Sequence, residues 1–190
     1  LNHAPVTETS ILFQRWLTMR YPMILGMAVL GVLLFLWGRH LHAPTHVSDT
    51  AYDLLLSTLL SHSVPEVSVE QIESGQYRLL DARAYWEFEV SHIAGATWVG
   101  YDDFDLARLA GIERQTPVAV YCSVGYRSEH VAERLLRQGY THVVNVYGGI
   151  FQWVNTKHPV VTQNGAETER IHAYSKSWGV WLTRGEPIYE

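Results

Sequence analysis

The sequence predicts one small α/β domain with a mainly parallel sheet flanked by helices, preceded by one transmembrane helix. Three observations lead there. From Val64 onward short apolar runs alternate with helical stretches, the pattern of βαβ units. An uncharged run from Tyr21 to Gly38 stands apart near the N-terminus. The length of 190 residues leaves room for one ordinary domain plus an appendage.

The uncharged run, YPMILGMAVLGVLLFLWG, would cover roughly 27 Å as a helix, close to the hydrocarbon thickness of a bilayer. Arg20 and Arg39 bracket it, and Trp16, Tyr21 and Trp37 sit near its ends, where cations and amphipathic rings favour the headgroup zone. A buried core helix and a cleaved signal peptide are the competing readings. A domain this small has little core in which to hide a helix apolar on every face, and GRHLHAPTH offers no clean small-x-small cleavage site. Arg15 and Arg20 before the run outnumber Arg39 after it, so the expectation is a single-pass membrane protein with its domain on the non-cytoplasmic side. The lipid bilayer is then a partner of residues 21–38. The chain divides into an N-terminal segment (1–20), the membrane helix (21–38), a linker with a short helix (39–63), the domain (64–159) and a C-terminal extension (160–190).

Within 39–63, Tyr52, Leu54, Leu55, Leu56, Leu59 and Leu60 supply the apolar side of an amphipathic helix. His40, His42 and His46 lie nearby without a carboxylate or thiolate at ligand spacing, so no metal and no cofactor is expected. Ser68 to Ser74 starts like a capped helix, with Ser68 as cap and Gln71 three positions on. Tyr77 to Leu80 reads as a strand ending at Asp81, Thr97 to Val99 as a second, Pro117 to Tyr121 as a third and Val143 to Val146 as a fourth. Helices are expected over Phe104 to Ala110, over Ser128 to Gln138 with Val131, Ala132, Leu135 and Leu136 on one side and Gly139 as the stop, and over Gly149 to Asn155. Asp102, Asp103 and Asp105 read as a helix-start cap.

Charge and cysteine counts exclude several functions. Asp+Glu 19 against Lys+Arg 14 leaves no sequence-wide basic footprint for nucleic acid. A single cysteine makes no internal disulfide, no Cys-x-x-Cys redox pair and no thiolate zinc cage. Cys122 follows the strand PVAVY directly, and CSVGYR separates that strand from a helix start. Loop amides and a helix dipole there favour a thiolate, which makes Cys122 the candidate nucleophile. Gly125 lets the loop turn with its amides inward, and Arg127 adds a cation at its end.

LLDARAYWEFEVSHIAGA, through Asp81, Arg83, Glu87, Phe88, His92, Ile93, Gly95 and Ala96, resembles the signature of the rhodanese family. VAVYCSVGYRS and NVYGGIFQW are similar to its active-site loop and closing segment, the latter through Gly148, Gly149, Ile150 and Trp153. The resemblance spans about Val67 to Pro159 and implies a sulfurtransferase that carries sulfane sulfur as a persulfide on Cys122. It implies substrate binding by the loop residues Ser123, Val124, Gly125, Tyr126 and Arg127. The partners implied are a small sulfur donor such as thiosulfate and a thiol or cyanide-like acceptor, with a protein acceptor as the alternative. Asp81 and Arg83 are expected to give structural support to the loop. Two residues depart from the family pattern: Ser123 stands where thiosulfate-preferring relatives often carry a basic residue, and Ser91 where glycine is common.

A non-catalytic docking module is the alternative reading. A cysteine phosphatase or arsenate reductase is another, but Cys122 and Arg127 make a Cys-x4-Arg loop, one residue shorter than phosphatases use. In the extension, Trp178, Trp181 and Tyr189 are expected to pack across the domain edge, or else to lie at the bilayer interface.

Overall fold

The computed structural model describes residues 45–189. The membrane helix expected over 21–38, the segments beside it and His40 and His42 lie outside the described residues. Among the described residues, no helix is long and apolar enough to cross a membrane.

Chain order is helix α1 (Thr50–Leu59), β1 (Glu66–Val67), α2 (Val69–Glu73), β2 (Arg78–Asp81), α3 (Tyr85–Val90), β3 (Thr97–Trp98), a 3-10 turn (Leu106–Leu109), β4 (Val118–Tyr121), α4 (Tyr126–Arg137), β5 (Val143–Val146) and α5 (Gly149–Asn155). The extension adds β6 (Val160–Val161), β7 (Glu167–Thr168), β8 (Arg170–His172), α6 (Lys176–Gly179) and β9 (Glu186–Ile188). The main sheet is wholly parallel, in the order β1-β5-β4-β2-β3. The crossover after β2 runs outward to β3 and the one after β4 runs the other way to β5, so the sheet has its switch point between β2 and β4. Ligand sites in open parallel sheets form at the carboxyl ends of strands at such a point.

Strand β4 shows why both faces must be covered. Val118 and Val120 face one core cluster with Leu80, Val131 and Leu135; Ala119 and Tyr121 face the other, with Ile150 and Phe151. That is the period-two alternation of a strand, and all four residues are buried because helices lie on both sides. Helix α4 packs Val131, Ala132 and Leu135 into the first cluster and starts two residues before its expected position, at Tyr126. Leu136 departs from expectation and is exposed. Gly139, at φ +87°, ends the helix, with Tyr140 N–H bonding to the Leu135 carbonyl at 3.1 Å. At the start of α2, the Gln71 side chain accepts the Ser68 N–H at 2.8 Å. Asp105 caps the 3-10 turn by accepting the Ala107 N–H at 2.8 Å, which replaces the longer helix expected over Phe104 to Ala110.

The segments flanking the motif-bearing region belong to the same core. Asp49 caps α1 through the Ala51 and Tyr52 N–H groups, both at 2.9 Å. Tyr52 and Leu56, four residues apart, are buried, and the Tyr52 hydroxyl donates to the Gly148 carbonyl at 2.9 Å. Leu54, expected on the apolar side, is exposed. Trp181 stacks on Tyr52, with centroids 5.5 Å apart, and Ile171, Ala173 and Leu182 are buried. Tyr189 stays exposed. β6 pairs antiparallel with β7, and β8 parallel with β9. His92 and Val161 exchange two backbone bonds of 2.9 Å, which tie the extension to the chain after α3.

Candidate active site

Cys122 is the first residue beyond β4, and the chain behind it is pinned. The N–H of Ile150 donates to the Cys122 carbonyl at 2.9 Å and that of Phe151 to the Ser123 carbonyl at 3.1 Å, so the first turn of α5 holds the loop from below. Gly149, at φ +56°, makes the approach feasible: a Cβ there would fall on the carbonyl groups of Cys122 and Ser123. Gly125, at φ +117°, turns the loop, and its N–H donates to Cys122 Sγ at 3.2 Å. Its carbonyl is fixed by Asn145 Nδ2 at 3.1 Å, and Ser128 Oγ lies 3.0 Å from that carbonyl and 2.7 Å from Asn145 Oδ1. Helix α4 begins at Tyr126, so its unpaired first-turn amides and positive dipole end adjoin the sulfur's loop.

The loop's other anchor is Glu87. This carboxylate, fully buried on α3, accepts Arg127 Nη1 at 2.6 Å and Nη2 at 2.9 Å, the Ser123 hydroxyl at 3.2 Å and the Ala84 N–H at 3.0 Å. Arg127 Nη2 also reaches Ser123 Oγ at 3.0 Å. Burial alone would raise the Glu87 pKa; the Arg127 hydrogen bonds and charge, helped by Arg83 and the Ala84 amide, hold it below the usual carboxylate range. Burial would lower that of Arg127, and its partners Glu87 and Cys122 raise it above the ordinary arginine value. His172, on β8, sits 4.0 Å from Glu87 with its Nδ1 accepting the Tyr174 N–H at 3.2 Å. Burial, with the charges of Arg83 and Arg127, pushes its pKa down against the pull of Glu87 and favours neutral imidazole.

Asp81 and Arg83 form a separate pair, 2.7 Å apart and with no solvent exposure. Arg83 Nη2 donates to the Ser91 carbonyl at 2.6 Å. Neither residue hydrogen-bonds residues 122–127, so the direct tether of the loop is Glu87, and the Asp81–Arg83 pair secures the strand end beside it. Glu87 stood in the sequence only as part of the family signature. Glu87 lies three positions past Ala84, the residue before α3, and 40 residues before Arg127, a separation that carries no local signal.

A cavity of about 460 Å³ opens onto Cys122. The loop supplies Cys122, Ser123, Val124, Tyr126 and Arg127; Gly125 lies behind them with its N–H on the sulfur. Leu59, Trp86, Tyr101, Tyr174 and Trp178 add most of the remaining wall, beside Ala84 and Asp102, and come from four stretches of the chain without any site signal in the sequence. Tyr174 lies over the Arg127 guanidinium, 5.2 Å from carbon to ring centroid. Its φ of +64° is rare for a tyrosine, and the bond to His172 holds it there. Asp102 stands at the cavity edge instead of capping a helix. A second cavity of about 350 Å³, beside Lys157 and Arg184, lies away from Cys122 and is lined by other residues. Among the described residues, no three His, Cys, Asp or Glu side chains converge to hold a metal ion, and His46 pairs with Asp53 at 2.8 Å.

Residues 64–156 match the family described as the Rhodanese-like domain. Over 99 residues the chain is 31% identical to the thiosulfate sulfurtransferase GlpE of Haemophilus influenzae, covering 52% of this chain and 91% of that protein. Over 58 residues it is 36% identical to a sulfurtransferase of Allochromatium vinosum, covering 30% of this chain and 54% of that one. It spans between 26% and 54% of the length of three curated relatives, that sulfurtransferase among them. A solved rhodanese-like domain from Anabaena is 20% identical with a TM-score of 0.48, covering 52% of this chain and 79% of that one.

Proposed function

The chain belongs to the rhodanese-like domain family, and from that premise we propose that it moves sulfane sulfur from a donor to a thiophilic acceptor through a persulfide on Cys122. The Cys122 thiolate attacks the outer sulfur of a donor such as thiosulfate or an organic persulfide. The Sγ–S bond forms as the donor's S–S bond breaks, and that electron pair leaves with the remainder of the donor. A thiol, cyanide or protein thiolate then attacks the outer sulfur and returns Cys122 as thiolate. One negative charge stays at the sulfur through the cycle, so no separate general base is required. The observation that carries this reading is the Gly125 N–H on Sγ at 3.2 Å at the head of α4, a donor placed for thiolate and persulfide alike.

The other loop residues have supporting parts. Ser123 and Arg127 fix the loop through Glu87, and Val124 and Tyr126 shape the cavity. Because both terminal nitrogens of Arg127 bind Glu87, the loop is poorly suited to hold a tetrahedral oxyanion, which weighs against phosphatase chemistry. The domain acts at a membrane, anchored through residues 21–38 and facing the non-cytoplasmic side; reporter fusions at the C-terminus test that orientation.

The chemistry is tested on the full chain with a sulfane donor and cyanide. Wild type gains about 32 Da on Cys122 and forms thiocyanate, and Cys122→Ser does neither. Equal thiocyanate from both proteins would overturn the proposal.

A further inference from the structure

We infer that the preferred donor at Cys122 is an aromatic or otherwise apolar organic sulfane compound carrying at most one negative charge, and that Trp86 and Tyr174 select it. This inference rests on the sulfurtransferase reading above and names the substrate class of that site.

Two independent features point to it. The first is charge. Among the described residues, the charged side chains lining the cavity are Arg127 and Asp102. Arg127 is bound in two-pronged fashion by the buried Glu87 and covered on one face by Tyr174, so its charge is balanced before any donor arrives. Asp102 then leaves the mouth negative. A small dianion entering this cavity meets a carboxylate and, among the described residues that line it, no unpaired cation to offset its lost hydration.

The second is shape and surface. Trp86 and Tyr174 are 63% and 54% exposed, and Tyr126 is 41% exposed, so three of the large exposed aromatic side chains gather at one opening. Isolated exposed aromatics are ordinary, but a group of them around a cavity that leads to a nucleophile is a binding surface. Tyr174 is held there in a left-handed conformation by the His172 bond, so the wall is built before a ligand binds. The same rings offer a small, strongly hydrated anion nothing it can use. For an aryl or alkyl group they offer an apolar surface beside a reactive sulfur.

The reaction keeps the balance given above. With an arylthiosulfonate, Cys122 takes the outer sulfur, the S–S bond to the sulfonyl sulfur breaks, and the arylsulfinate leaves with the electron pair. Three donors separate the two features. Benzenethiosulfonate and methanethiosulfonate carry the same single charge and differ in the ring; thiosulfate adds the second charge to a small donor. Initial rates of thiocyanate formation by the full chain give kcat/KM for each, divided by that donor's rate with free cysteine. The expected order is benzenethiosulfonate above methanethiosulfonate by about tenfold, with thiosulfate lowest. Trp86→Ala and Tyr174→Ala each reduce the benzene-to-methane ratio by about threefold or more. The two residues lie on separate segments, so one variant remains informative if the other does not fold. A ratio near one in wild type, a ratio unmoved in the variants, or thiosulfate as best donor overturns the inference. Absence of any Cys122 adduct with all three donors would instead remove the sulfurtransferase reading beneath it.

Discussion

Two arginine–carboxylate pairs lie within the same part of the domain, and they do different things. Asp81 and Arg83 are two residues apart, wholly buried, and lock the end of β2 to the Ser91 carbonyl. Glu87 and Arg127 are 40 residues apart and join α3 to the sulfur loop, with the arginine 17% exposed at the cavity. The local pair stiffens its own turn; the distant pair sets where another segment sits. In the first, Arg83 Nη1 and the nearby Ser91 hydroxyl have no hydrogen-bond partner among the described residues. In the second, both terminal nitrogens of the arginine and both carboxylate oxygens are engaged. Burial alone therefore does not separate scaffold from site. What separates them is which parts of the chain the pair connects.

The largest expected effect breaks the sealed pair. Arg83→Met leaves the Asp81 carboxylate buried without its cation and should cost about 3–5 kcal/mol, read from the urea midpoint. A loss under about 1 kcal/mol would mean that water reaches the pair. Glu87→Gln should cost less, about 1–2 kcal/mol, because Arg127 is partly solvated and recovers some hydration. Its clearer consequence is on donor choice. Freed from its partner, Arg127 presents a net positive charge, and kcat/KM for thiosulfate relative to methanethiosulfonate should rise about tenfold.

The smallest effect concerns pH and sharpens the electrostatics around the Glu87–Arg127 pair. The His172 pKa is lowered in the folded protein, so the unfolded chain takes up the proton first. Stability is therefore complete above the ordinary histidine pKa of about 6.5 and falls as pH drops below it toward the folded value. His172→Asn keeps an acceptor for the Tyr174 N–H and removes the titration, so its thermal midpoint should change less between pH 7 and pH 5 than that of wild type. Glu87 has the same sign in a lower window, its contribution present above the usual glutamate range and lost as pH falls through its depressed value.

The legible parts of the sequence were those in which local pattern and long-range packing agree. PVAVY, the glycine-bearing loop and the helix ending at Gly139 each carry their own signal, and they place Cys122 correctly at a strand end ahead of a helix. Helix α3 has no start signal in the sequence, because Ala84 at its cap position is no capping residue; the hydrogen bond comes from Glu87 reaching back. Strands of two or three residues, such as Val160–Val161 and Arg170–His172, have no measurable alternation and exist because partners elsewhere complete them. The cavity wall was hidden for the same reason. Leu59, Trp86, Tyr101, Tyr174 and Trp178 carry no shared spacing, and only the fold brings them to one sulfur.

The bonds from the Ile150 and Phe151 amides to the carbonyls of Cys122 and Ser123 have a kinetic consequence. With no space for a side chain at Gly149, loop and helix meet backbone to backbone, and the loop has little room to change shape. The entropy lost in ordering it is thus a term in the folding equilibrium and is absent from the barrier to the proposed sulfur transfer.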